Sequence, residues 1–375
     1  MFNQQLVLRA IYDRPAVSRA ELARITGLTR TSVSELAGEL LTDRLIEEVG
    51  RGPSTGGKAP ILLRVRAEGR HLIGLDLGES AFTGAVVDLR GNIVRSLSLP
   101  LEGRGGEEAV QLVYSLIEAL AGGNGRSPLL GIGVGAPGLV DSRTGTVRWA
   151  VNLGWENLPL GEMIEQRFGL PVVVANDSQA AAVAELTFGF ESRPANLVVV
   201  RVGRGIGAGI ILNGQLFHGD GSGAGEIGHT IFGDGRERCR CGRIGCLETT
   251  ASMRAMVAEA NRLVPAVTDD ATLVSALNDG DQRVYSIVVH AGAMLGLAIA
   301  AVTGTLNVNH ILLVGPAVAL GDEWLNAVRQ RATASALPLL AESTRIDFGA
   351  KHKDVVLLGA SAMLMTHELG LSLAR

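Results

Sequence analysis

Apolar residues recur with two different periods along this chain. Between residue 4 and about residue 41 they follow the helical period, and from His71 onward they form short continuous runs separated by glycine turns. In QQLVLRAIYD, Leu6, Val7, Ala10 and Ile11 share one helical face. Ser18 reads as the N-cap of SRAELARIT, with Glu21 three residues on to complete a capping box, and Gly27 stops that helix. Thr29 opens a third helix, TRTSVSELAGELLTDRL, with Val33, Leu36, Ala37, Leu40 and Leu41 at helical spacing. Three such helices, the last two joined by a tight glycine-containing turn, predict a helix-turn-helix. LIEEVGRGPSTGGKAPILLRV follows as two strands around a glycine-rich tip, which is the pattern of a β-hairpin wing.

The second pattern alternates buried strands with helices. HLIGLDLG is one continuous apolar run, and SAFTGAVVDLRGNIVRSLSLPL predicts a hairpin turning at Arg90-Gly91-Asn92. A helix is expected over residues 106–121, then strand LLGIGVGAPG, strand PVVVAND leading into helix SQAAAVAELTFG, and strand NLVVVRVG leading into GIGAGIILNG. A mostly helical stretch spans residues 252–306, followed by strand HILLVGP, a helix from Asp322, and VVLLGASAM, read as a strand entering a terminal helix. Strand-rich α/β order therefore occurs once before about residue 180 and again after it, predicting two related lobes around a cleft. The expected division is a winged helix-turn-helix at 1–66, a first lobe at 67–180 completed by a terminal helix at 360–375, and a second lobe at 181–359. No run of eighteen apolar residues lacks charged or turn residues, and the first residues lack the pattern of a signal peptide. No membrane partner is expected.

Charge sharpens the division. Of the formal net charge of −4, residues 1–66 carry ten Arg or Lys against seven Asp or Glu, so a basic head sits on an acidic body. That asymmetry is expected where only the head meets phosphates. The third helix begins with Thr29, Arg30, Thr31, Ser32 and Ser34, residues of the type that reach base edges and phosphates from the start of a recognition helix. Arg51 and Lys58 flank the tip of the wing and would reach backbone or minor groove. Double-stranded operator DNA is the implied partner. A helical protein-interaction module with an exposed loop is the plainer alternative.

All three cysteines fall in HTIFGDGRERCRCGRIGCLE. Cys239, Cys241 and Cys246 follow His229 closely, and glycines at 242 and 245 let the backbone turn around a small ion. The set matches a closed Cys3His tetrahedral zinc site, structural because no coordination position is left open. A disulfide would leave an odd cysteine, and three small hydrophobes clustered by chance would need an apolar stripe that this Arg- and Gly-rich segment lacks. Thiols kept reduced as metal ligands point to the cytoplasm.

In order along the chain, a winged helix-turn-helix, a DLG strand, GVGAPG, NLGW, AND at 175–177, GIGAGIILNG, EIGH and CRCGRIGCLE resemble the ROK family of repressors and sugar kinases. The resemblance spans essentially the whole chain. It implies two actin-like, sugar-kinase-like lobes with zinc, a sugar bound between them, and a homodimer or a dimer of dimers. It places sugar contacts at Asn152, Asn176, Asp177, Glu226, His229 and Glu248, with His229 touching sugar and metal at once. In the family's kinases the residue matching Asp177 is the base that deprotonates the attacking hydroxyl. Each residue also has a simpler reading: Asp177 as a helix cap, Glu248 as a partner of the metal site, Asn152 as a turn former.

The family's kinases carry DxGGTK and GTGxGxG loops at the nucleotide phosphates, whereas this chain has Asp76-Leu77-Gly78-Glu79-Ser80-Ala81 and Gly203-Arg204-Gly205-Ile206-Gly207. Glu79 adds bulk and negative charge beside an anionic ligand, and Gly315-Pro316-Ala317 lacks the usual paired glycines on the adenine side. These departures favour a sugar-responsive regulator, most simply a repressor of sugar uptake or catabolism genes with Asp177 a vestigial base, over an active ATP-dependent sugar kinase with an accessory DNA-binding head.

Overall fold

The computed structural model of the chain describes residues 2–53, 59–123, 127–190, 193–232, 237–350 and 354–371. Lys58, singled out above for DNA, lies outside the described residues. The head consists of α1 (Phe2–Tyr12), β1 (Val17–Ser18), α2 (Arg19–Thr26), α3 (Arg30–Thr42), β2 (Ile46–Arg51) and β3 (Ile61–Val65). Ser18 Oγ accepts from Glu21 N–H at 3.2 Å, Gly27 ends α2 in the left-handed conformation, and Thr29 Oγ1 accepts from Ser32 N–H at 3.2 Å to start α3. Strands pair in the order β1-β3-β2, so the wing is a three-stranded sheet in which the short β1 was not legible beforehand.

The head core extends into the body. Val7, Ile11, Leu22, Val33, Ala37, Leu40 and Leu63 share one apolar cluster with Leu72, Leu89, Val183, Ala362, Leu364, Met365 and Leu371. Because α1 is covered on two sides, its buried stripe is wider than one face: Leu8 is buried where Leu6, the expected residue, is only half-buried. Arg90 adds a polar tie, donating to the Tyr12 carbonyl at 2.7 Å with its guanidinium 4.6 Å from the Tyr12 ring centroid.

The first lobe runs β4 (His71–Leu77), β5 (Ala81–Asp88), β6 (Ile93–Pro100), α4 (Gly106–Gly122), β7 (Leu129–Ala136), β8 (Leu139–Asp141), β9 (Thr146–Ala150), β10 (Trp155–Leu158), α5 (Leu160–Phe168), β11 (Val172–Asn176) and α6 (Asp177–Ala184). The second runs β12 (Leu197–Val202), β13 (Ile206–Leu212), β14 (Gln215–Leu216), α7 (Glu248–Ala251), α8 (Met253–Leu263), α9 (Asp270–Asn278), α10 (Gln282–Leu306), β15 (His310–Val314), α11 (Gly321–Ser335), α12 (Pro338–Ser343) and β16 (Arg345–Phe348), and the chain then returns to the first lobe with α13 (Val355–Leu369). The two main sheets, β11-β7-β4-β5-β6 and β16-β15-β12-β13-β14, repeat one topology of three parallel strands extended by an antiparallel meander. The repeat predicted from strand order is therefore a repeat of architecture. Helix α10 has the length and composition of a membrane-crossing helix, but half of its most apolar window is buried, packed with α8 and α11.

Residues 355–363 form the start of α13 and not the expected strand. The helix lies between the first-lobe sheet and α6, so VVLL is buried on every side and shows no period that would tell helix from strand. Glycines permit this approach: a Cβ on Gly133 would meet the Ala360 carbonyl at 2.2 Å, and one on Gly359 the Ala180 carbonyl at 1.7 Å.

Candidate functional site

A cleft of about 620 Å³ opens between the lobes at the carboxyl ends of β4, β11 and β12, where open α/β sheets place ligands. It is lined by all six residues expected to hold a sugar: Asn152, Asn176, Asp177, Glu226, His229 and Glu248. The side-chain amide nitrogen of Asn152 is buried without a hydrogen-bond partner, so a donor waits in the wall of the cleft. Asn176, and not Asp177, caps α6: its Oδ1 accepts from Ser178 and Gln179 N–H at 2.9 and 3.1 Å, and its Nδ2 donates to the Gly138 carbonyl at 2.9 Å. That leaves Asn176 one amide hydrogen and leaves the Asp177 carboxylate turned into the cleft.

Glu226 is placed by Gly225, which at φ +96° lies so close to β13 that a Cβ there would meet the Ala208 carbonyl at 1.8 Å. Burial first, then Asp177 and Glu248, pushes the Glu226 carboxyl up to about 7. Glu248 Oε2 accepts from Ile206 N–H at 3.2 Å and Oε1 from Arg254 at 3.0 Å, so this residue ties α7 to the β12–β13 turn as well as lining the cleft. Trp149, at 45 % exposure, presents an aromatic surface at the cleft edge.

Ligand atoms of His229, Cys239, Cys241 and Cys246 all lie within 4.8 Å of one another. Cys239 Sγ is 3.5 Å from His229 Nδ1, and Cys241 Sγ is 3.6 Å from Cys246 Sγ. With Zn–S near 2.3 Å, a tetrahedron has S···S edges of about 3.8 Å, so the donors are spaced for a small tetrahedral cation. The bridge Ile231↔Cys246, the bridge Arg238↔Ile244 and a left-handed Gly242 fold the loop back on itself to bring them together. Burial first, then the neighbouring cysteines, pushes the Cys246 thiol up to about 12. His229 turns Nδ1 to the sulfurs and Nε2 toward Glu226, 3.9 Å away in the cleft.

Two residues that the sequence reading did not single out, Arg201 and Arg240, meet Asp76, Glu79 and Arg204 in the same cleft. Arg201 donates to Asp177 Oδ2 at 2.9 Å, with both side chains less than one-fifth exposed at 18 % and 16 %. Burial pulls the Arg201 pKa down, but Asp177, Asp76 and Glu79 outweigh it and leave the guanidinium more firmly charged than usual. Asp76 lies within the field of Arg201, its carboxyl pushed up to about 6 by burial despite that cation. Arg204 and Arg240 both donate to Glu79, at 2.8 and 3.1 Å. The one signal for Arg201 was a charge inside an otherwise apolar strand, LVVVRV; for Arg240, only its place between two metal-spaced cysteines.

Thr29, Arg30, Thr31, Ser34 and Arg51 are exposed on the head, Ser32 is half-buried, and neither Arg30 nor Arg51 has an ion-pair partner among the described residues.

Residues 72–367 match the ROK family, and residues 2–54 match the MarR family of winged helices. The chain belongs to the ROK family. It is similar to a ROK protein named xylose repressor from Caldicellulosiruptor bescii, 30 % identical, with 98 % of this chain and 96 % of that one covered. It is also similar to the DNA-binding transcriptional dual regulator NagC of Escherichia coli K12, at 31 % identity over 89 % of this chain and 85 % of the other. A solved ROK transcriptional regulator, a homologue of the E. coli MLC protein, superposes with a TM-score of 0.84 at 26 % identity, covering 98 % of this chain and 96 % of that one. A Streptomyces griseus ROK glucokinase solved with glucose and AMPPNP superposes at 0.72 and 26 % identity, covering 98 % of its own length but 78 % of this chain.

Proposed function

We propose that this protein is a sugar-responsive transcriptional regulator, a repressor of sugar uptake or catabolism genes that leaves operator DNA when a sugar fills the cleft. The observation that carries this reading is the single apolar core joining the winged head to α13, which also walls the first lobe beneath the cleft. Relatives named as regulators span head and body together, whereas the glucokinase covers 78 % of the chain.

Asn152, Asn176, Asp177, Glu226, His229 and Glu248 recognise the sugar hydroxyls, with Trp149 offering an apolar surface to a sugar ring. Zn2+ held by His229, Cys239, Cys241 and Cys246 is structural: it fixes the His229 ring so that Nε2 faces the sugar. The chain is not a kinase, because Asp177 is paired with Arg201 and the phosphate loops carry the bulk and charge of Glu79 and Arg204. Sugar closes the lobes, and in a cytoplasmic homodimer this alters the spacing of two heads whose Arg30 and neighbouring hydroxyls lie in adjacent major grooves, with Arg51 and Lys58 at the flanks. A coupling of about 1–3 kcal/mol gives a release of roughly 5- to 150-fold.

The test begins with an operator selected from a random duplex pool. Xylose, glucose and N-acetylglucosamine, free and phosphorylated, are then titrated while DNA affinity and tryptophan emission are followed. One sugar should lower DNA affinity and shift the emission of Trp149, since Trp155 and Trp324 are buried. Asp177→Asn should remove the response. Silence across the panel would defeat the effector reading, and ATP-dependent sugar phosphorylation lost in Asp177→Asn would defeat the regulator-only reading.

A further inference from the structure

Glu79 occupies the turn between β4 and β5 in the first lobe, while Arg204 follows β12 and Arg240 stands in the metal loop of the second. Glu79 Oε2 accepts from Arg204 Nε at 2.8 Å and Oε1 from Arg240 Nη1 at 3.1 Å, so one carboxylate uses both oxygens on two cations across the cleft. The Glu79 side chain is 22 % exposed, more buried than the side chain of Arg204 or Arg240. At the end of β12, three residues before Arg204, Arg201 donates to Asp177 and also feels the charge of Asp76. Arg201, Arg204 and Arg240 thus have Asp177, Asp76, Glu79 and Asp270 around them, and these groups carry no surplus positive charge to draw in a polyphosphate.

We propose that Arg204 and Arg240 form an anion-binding site whose resident ligand is the chain's own Glu79. The carboxylate takes the position of a phosphate, and by bridging the metal loop, the β12–β13 turn and the first lobe it draws the cleft together without nucleotide. A short tether gives such an internal ligand an effective concentration of about millimolar or more, so a free anion must compete against it. The arrangement is a masked polyphosphate site rather than a lost one, because the two cations remain in place and only their occupant has been supplied from within. This goes beyond the regulatory reading, and the anion measurement needs neither sugar nor DNA, so either idea can fail without the other.

Full-length, metal-loaded protein is titrated calorimetrically with sodium tripolyphosphate. Wild type should show no binding at about millimolar anion, whereas Glu79→Ala and Glu79→Gln should bind it at least tenfold more tightly, that being the competition relieved when the tethered carboxylate is removed. Glu79→Ala combined with Arg204→Ala should lose the gain. If Glu79→Gln melts like wild type yet gains no anion affinity, or if wild type binds tripolyphosphate as well as the variants do, the proposal is overturned. A gain that survives loss of Arg204 would overturn it equally.

Discussion

Replacing Arg201 by methionine keeps the stem of the side chain and removes the cation that pairs with Asp177 and offsets the charge of Asp76. The Asp76 carboxyl is already raised from 3.8 to about 6 because burial outweighs the help of Arg201, with Asp177 and Asp354 adding like charge, and its Oδ1 has no hydrogen-bond partner. A folded-state pKa above the unfolded one means the folded protein binds this proton more tightly. The stability the group contributes is then fully present below about pH 4 and is lost as pH rises through about 6, a swing of about 3 kcal/mol. Without Arg201 the ionised form is costlier still. Removing one member of a mostly buried pair costs about 3–5 kcal/mol, and the residual exposure of 18 % and 16 % argues for the lower end. At roughly 2 °C per kcal/mol for a unit of this size, melting near pH 7.5 should fall by about 6 °C. The gap between variant and wild type should narrow near pH 5, where a protonated Asp76 no longer needs a counter-ion. Equal melting temperatures near pH 7.5, or a gap that widens on acidification, would refute the charge reasoning.

Cys241→Ser removes one of four donors and should lower zinc retention after dialysis at least tenfold, by the coupling of ligand set to metal affinity, together with the sugar response; a variant that keeps stoichiometric zinc and releases DNA normally would contradict the role given to the metal loop. Arg30→Ala should weaken operator binding by about 1–3 kcal/mol if it reads a base, or reduce the salt slope by about 1 if it holds a phosphate, and anisotropy at several salt concentrations distinguishes the two. No change in either quantity would remove the start of α3 from the DNA face. Gly359→Ala must push α13 off the Ala180 carbonyl and should cost about 1–3 kcal/mol in urea unfolding, with a blunted transfer of sugar binding to the head; wild-type unfolding would mean that α13 and α6 are not in this contact.

The sequence by itself determined the winged head, the alternation of strands and helices in two lobes, and the four donors that could hold a metal. Those features are local: helix caps at Ser18 and Thr29, apolar periods in α1 and α3, and four donors within eighteen residues act through near neighbours and leave their pattern in the chain. It also named, through family resemblance, the six residues that the fold brings to one cleft. Tertiary structure alone decided which of them are engaged elsewhere. Asn176 caps α6 where the sequence offered Asp177, because the strand end turns the Asn176 side chain back onto Ser178 and Gln179. The first turns of α13 read as a strand because burial on all sides erases the helical period, and Leu6 gave way to Leu8 because the body covers a second face of α1. Arg201, Arg204 and Arg240 acquire meaning only opposite Asp76, Asp177 and Glu79, partners as far as 161 residues away in the chain. An ion pair leaves no periodicity, and closure of two lobes is what brings its members within 4 Å of each other.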